Sequence, residues 1–127
     1  MRVNVENVGR VRILDAHELL RTMREHATPA YKQLLQQLHG TDKGRLDQAL
    51  QCFISEQQRA VFILNGYDLI ATARACRSAD PAIIWVHDVV VADSVQGKGL
   101  GRLVLEHLEL QVCGQWCKDN TWAKGTF

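Results

Sequence analysis

Residues 83 to 112 constrain the fold more than any other part of the chain. An apolar run, Ile83 to Ala92 (IIWVHDVVVA), leads into Gln96-Gly97-Lys98-Gly99-Leu100-Gly101-Arg102. From Leu100 onward, Leu103, Val104, His107, Leu108 and Val112 recur at helical spacing. The pattern is that of a strand, a glycine loop and a helix. Because its apolar character is almost continuous, the strand is expected near the centre of a sheet, covered on both faces. Glycines let backbone N–H groups approach a ligand unhindered, and the helix start turns its positive dipole end to the same point. Such a loop suits a phosphate or pyrophosphate, with Lys98 and Arg102 adding positive charge at its rim. Two common phosphate motifs do not fit. A Walker loop requires Ser or Thr after Gly97-Lys98, where Gly99 stands, and the dinucleotide fingerprint requires two residues before its third glycine, where only Leu100 intervenes.

The remaining pattern supplies partners for that unit. Val8, Val11, Ile13 and Leu14 mark a first strand. From Asp15, a plausible N-cap, Leu19, Leu20, Met23 and Ala27 change to helical spacing. Thr28-Pro29 restarts the helix, Tyr31, Leu34, Leu35 and Leu38 line one face, and Gly40 stops it. A third apolar stretch from Leu46 to Ile54 extends the helical block to about residue 58. Asn65-Gly66 then lies between two β-rich runs, a strong hairpin signal. The tail TWAKGTF is expected to add a last short strand. Strand, helices, hairpin, strand and helix describe one α/β domain over residues 1–127, with a mixed sheet flanked by helices.

Composition limits the partners. Fifteen basic and fourteen acidic side chains leave a net charge of +1, without the basic excess of a nucleic-acid binder. The N-terminus has no apolar core of the kind a secretory signal needs, and the longest apolar runs are too short to span a bilayer, so the cytoplasm is the expected compartment. Cys113 and Cys117 stand one helical turn apart but lack a second half-site. Reduced thiols are therefore expected rather than a metal or a disulfide.

The motif carries a family resemblance. Gln96-Gly97-Lys98-Gly99-Leu100-Gly101 matches the pattern Gln/Arg-x-x-Gly-x-Gly/Ala, with Val91 five residues ahead and an amphipathic helix behind. Residues 83–112 resemble coenzyme-binding motif A of the GNAT superfamily of N-acetyltransferases, and His87-Asp88-Val89-Val90-Val91 is locally similar to the corresponding part of glucosamine 6-phosphate N-acetyltransferases. The resemblance implies a GNAT-like acyl-CoA N-acyltransferase fold in which residues 15–58 form the acceptor side. It implies that the backbone of Val89, Val90 and Val91 pairs with the pantetheine arm of acetyl-CoA, and that the amides from Gln96 through Gly97, Lys98, Gly99, Leu100 and Gly101 to Arg102 cradle the pyrophosphate. An amide near Val91, at a bulge, would stabilise the oxyanion.

In the same family the amine attacks the thioester directly, with acetyl-CoA as co-substrate and no metal. His87 and Asp88 occupy the positions of the family's acid pair and are the candidates for the base. Imidazole titrates near neutral pH, which suits that task, and adjacent strand residues point to opposite faces, so one of the two is expected to reach the acceptor. His107, on the inner helix face, reads as a core histidine. The family's tyrosine acid has no match, because Tyr31 and Tyr67 are the only tyrosines and neither lies in its motif. The resemblance thus implies a shortened C-terminal part. A minimal enzyme, completion by a second subunit as in a homodimer, and a non-catalytic acetyl-CoA-binding regulatory module are the readings that follow. The acceptor, a small molecule or protein bearing an amine, is not specified.

Overall fold

A computed structural model describes residues 1–39, 58–80, 83–116 and 123–124. The chain opens with a hairpin of β1 (Arg2–Val5) and β2 (Gly9–Asp15), where the sequence pattern suggested one strand. Val3 and Val5 alternate with polar neighbours too briefly to stand out. The turn is made by Asn7 and Gly9, both at positive φ, and the Val8 amide donates to the Val5 carbonyl at 3.1 Å.

Asp15 ends β2 and caps α1 (Ala16–Met23). Its Oδ1 accepts from the Glu18 amide at 2.8 Å, and the Glu18 side chain accepts from the Asp15 amide at 3.2 Å, a reciprocal capping box. A 3-10 turn, Arg24–His26, with Arg24 at φ 52°, redirects the chain into α2 (Ala27–His39). The restart comes one residue before Thr28. Pro29 fits the first turn of α2 because no N–H is needed there. The Leu38 side chain, the stop at Gly40 and the Leu46–Ile54 stretch lie outside the described residues.

Strands β3 (Gln58–Asn65) and β4 (Asp68–Arg77) form the expected hairpin about Asn65-Gly66, with Gly66 at φ 63°. Strand β5 (Ile83–Val91) runs antiparallel to β4. After a 3-10 turn, Asp93–Val95, and the glycine loop comes α3 (Leu100–Trp116). A two-residue strand, β6 (Ala123–Lys124), lies within the anticipated tail strand and pairs with β5 in parallel. The sheet order is β1-β2-β3-β4-β5-β6, a mixed sheet.

Helices cover both faces. Leu14, Ala60, Phe62, Leu64 and Val90 pack under Leu19, Tyr31 and Leu35 of α1 and α2, with Tyr31 edge-on to Phe62. On the opposite face Val11, Ile13, Val61, Ile63, Ala71, Ala73 and Ile84 meet Leu100, Val104, Leu108 and Val112 of α3. The expected central position of β5 is corrected by this arrangement. Strands β3 and β4 hold the middle, whereas β5 has Trp85 and His87 exposed and meets β6 only at Ile83 and Ile84. Its apolar run arises because one face of the strand contacts α3 while, beyond the bulge described below, Val90 turns into the other layer.

Candidate coenzyme-binding site

The site begins with a break in the β4–β5 ladder. Thr72 stands opposite Val90, and Arg74 opposite His87, so Asp88 and Val89 together face Ala73 alone. This is a β-bulge on β5. It lies three residues before Val91, near which the resemblance placed a bulge. Asp88 adopts φ 53°. The left-handed region is open to glycine and tolerated better by Asp than by branched side chains. The bulge also reverses the alternation of faces. Ile84 and Val86 pack toward α3 before it, and Val89 and Val91 do so after it, while Val90 joins the α1–α2 layer.

That reversal sorts the candidate side chains. Trp85 and His87 lie on the α1–α2 face of the sheet, and His87 is exposed. Asp88 sits at the bulge and forms an ion pair with Arg74, Oδ2 to Nη2 at 2.7 Å, with side chains only 11% and 14% exposed. Arg74 Nη1 also reaches Gln58 Oε1 at 3.4 Å. The two adjacent candidates thus differ in kind. His87 is open to solvent, while the Asp88 carboxylate is held by a guanidinium. Cys76, across the ladder from Trp85, has its thiol pKa pushed up by burial, an effect that Arg74 opposes and Asp88 reinforces.

The outer edge of β5 is the second component. From Trp85 to Val91 it has no strand neighbour among the described residues. The Ala92 amide donates to the Ile70 carbonyl of β4 at 2.8 Å, so by the geometry of an antiparallel strand Val90 also turns its backbone inward. Val90 is therefore part of the ladder with Thr72 and is not directed at the groove. The Val89 carbonyl and the Val91 amide face the open edge. The Val91 carbonyl faces it too but already accepts from Gln37 Nε2 at 2.7 Å and Gln96 Nε2 at 3.3 Å.

Gln37 was not marked by any sequence signal, since a glutamine on the polar face of a helix looks like many others. Its Oε1 also accepts from the Asp93 amide at 3.0 Å, so one α2 side chain grips the chain on both sides of the strand end. Gln96 closes the same turn from within, donating also to Asp93 Oδ1 at 3.1 Å.

Beyond Gln96 the loop reaches the start of α3. Gly97 and Gly99 have φ of 78° and 81°, a conformation that L side chains rarely adopt. Gly99 provides the first helical acceptor, its carbonyl receiving the Leu103 amide at 3.0 Å. The amides of Leu100, Gly101 and Arg102 belong to the first turn, where a helix has no internal acceptors to offer. Leu100 contributes only backbone, because its side chain is buried among α3 and sheet residues. Gly101 lies against β5, where an added Cβ would stand 3.7 Å from Val91 Cγ2. The two rim cations are both exposed. Lys98 Nζ donates to the Asn7 carbonyl of the β1–β2 turn at 3.0 Å, and the exposed Arg102 lies 3.7 Å from Glu106 one turn along. His107 is half-buried beside Gln111 at a shallow groove of about 180 Å³, not in the closed core.

These features converge on one family. The family model for the acetyltransferase (GNAT) family matches residues 17–125, and the chain belongs to that family. Solved structures share the fold. An aminoglycoside 6'-N-acetyltransferase complexed with coenzyme A superposes with a TM-score of 0.65 at 15% identity, covering 83% of this chain and 56% of that one. The aminoglycoside N-acetyltransferase AAC(6')-Iy in complex with CoA gives 0.67 at 12% identity, over 92% and 77%. Escherichia coli ElaA gives 0.61 at 16% identity, over 85% and 73%. The chain thus spans little more than half the length of the first of these, and at such identities the likeness is one of fold. A search of curated proteins found no match. No helix among the described residues is long and apolar enough to cross a membrane.

Proposed function

We propose that the chain is an acetyl-CoA-dependent N-acetyltransferase acting on an amine. The observation that carries this reading is the open edge of β5 between a backbone bulge and the start of α3. In it the pantetheine arm adds to β5 as a half-strand through the Val89 carbonyl and Val91 amide. The pyrophosphate rests on the amides of residues 97–102. The thioester then lies at the bulge, where the Asp88–Val89 peptide supplies an N–H to the developing oxyanion.

The acceptor amine approaches from the α1–α2 face. His87 takes its proton directly or through water as the C–N bond forms and the C–S bond breaks, and CoA leaves as a thiolate that gains a proton from solvent. We assign the base to His87 because Asp88 is engaged with Arg74. A second reading, an acetyl-CoA-binding regulatory module, is favoured by the tyrosines. Tyr31 is 1% exposed in the α1–α2 core and Tyr67 is 81% exposed at the β3–β4 turn, so neither stands at the open edge as an acid.

Calorimetry with CoA and acetyl-CoA, followed by thiol release across an amine panel, separates these readings. The enzyme is expected to bind both ligands and to release thiol with some amines. His87→Ala is expected to lower kcat by about 10²-fold or more with coenzyme affinity retained. Absence of binding would overturn both readings. Binding without turnover across the panel would favour the regulatory module.

A further inference from the structure

Arg74 is unusual for its place. It stands inside β4 among Ala71, Ala73 and Ala75, with its side chain on the α1–α2 face between Ala60 of β3 and His87 of β5. A buried guanidinium needs a carboxylate, and Asp88 supplies one from the residue that holds the left-handed bulge position. The side chain that neutralises Arg74 is therefore attached to the most strained backbone unit of β5. Had neutralisation been the sole requirement, a carboxylate on either regular stretch of the ladder would have met it without placing a non-glycine residue at positive φ.

We propose that Arg74 is a positioning residue: its ion pair with Asp88 latches the β5 bulge and so sets the direction of the Asp88–Val89 peptide and the phase of the Val89–Val91 edge. The groove part of this assignment rests on the coenzyme reading above, while the latch itself does not. Without the pair, the strand gains by shedding the left-handed residue. A one-residue slip would then exchange which of Val89, Val90 and Val91 face the two helical layers, because side chains alternate with a period of two. The same slip would turn the Val91 carbonyl away from Gln37 and Gln96, which hold it now. The latch thus connects a side chain inside the sheet with the point where β5 gives way to the glycine loop.

Glycine offers the decisive variant. At position 88 it adopts positive φ without a latch, so Arg74→Met with Asp88→Gly removes both charges and keeps the bulge accessible. Arg74→Met alone leaves the carboxylate without its guanidinium. The experiment is residue-resolved amide exchange on wild type, Arg74→Met and the double variant, with parallel CoA titrations. In Arg74→Met the His87 and Val90 amides, which face β4, are expected to exchange about tenfold faster relative to Leu108 of α3, reflecting the cost of a left-handed non-glycine residue. The double variant is expected to return to within a few-fold of wild type, and CoA affinity to fall and recover in step.

Unchanged exchange at His87 and Val90 in Arg74→Met would overturn the latch. So would equal acceleration at Leu108, which marks a general core role, or a double variant that stays as fast as the single one. CoA affinity indifferent to Arg74→Met would overturn the connection to the groove. Failure of wild type to bind CoA at all would instead overturn the coenzyme reading, and with it the groove assignment, while the exchange data still decide the latch.

Discussion

Gly99 and Gly101 stand two residues apart and demand different things of the backbone. Gly99, at φ 81°, has no atom within 4 Å of an added Cβ, so its need is conformational and not steric. Gly101 is helical, and its added Cβ would make ordinary contact with Val91. Gly99→Ala is therefore expected to lower stability by about 1 kcal/mol, as an L residue forced into the left-handed region. Gly101→Ala is expected to be neutral or to raise stability by up to about 1 kcal/mol through helix propensity. Urea denaturation of the two variants side by side checks the pair of signs. The glycine spacing in the sequence marked both positions alike, since a motif does not distinguish a glycine required for its φ from one allowed by its small size.

Among the elements, α1 is short and depends on its first turn. The capping box at Asp15 and Glu18 satisfies donors that the helix itself leaves open. Asp15→Ala is expected to lower stability by about 1 kcal/mol in denaturant titration, with the unfolding slope unchanged. This cap was readable in advance because it depends on residues three apart. The β1–β2 hairpin was not, as four residues of alternating pattern carry little signal. A bulge in β5 was expected near Val91 from the resemblance alone, but its place at Asp88–Val89 was not readable, since Asp88 at positive φ is paired with Arg74 fourteen residues earlier and across the ladder. Gln37 is a similar case, for its partners Val91 and Asp93 lie on a different element.

For the whole molecule, the sheet separates two apolar layers of unequal make-up. The α1–α2 layer centres on Phe62, fully buried against Tyr31, and the α3 layer on Leu108, Val104 and their sheet partners. Phe62→Ala is expected to cost about 3–5 kcal/mol, because it removes a large side chain and leaves a cavity in a close-packed layer. A thermal melt checks this. Saturating CoA, if it binds at the groove, is expected to return part of that loss, about 2.7 kcal/mol at a hundredfold excess over Kd.

Local chemistry accounts for what the chain shows before it is folded. The strand–glycine–helix unit, the Asn65-Gly66 hairpin, the Asp15 cap and the α/β class rest on spacing and on residue types whose backbone preferences act within a few positions. Tertiary structure settles which edge of β5 has no strand neighbour among the described residues, that Val90 turns its backbone to the ladder while the Val89 carbonyl and the Val91 amide turn outward, that Lys98 reaches Asn7, and that Asp88 is paired with Arg74 while His87 is exposed. Those outcomes depend on strand register and on contacts between distant residues, and a one-residue shift in register would reverse them without changing a single amino acid.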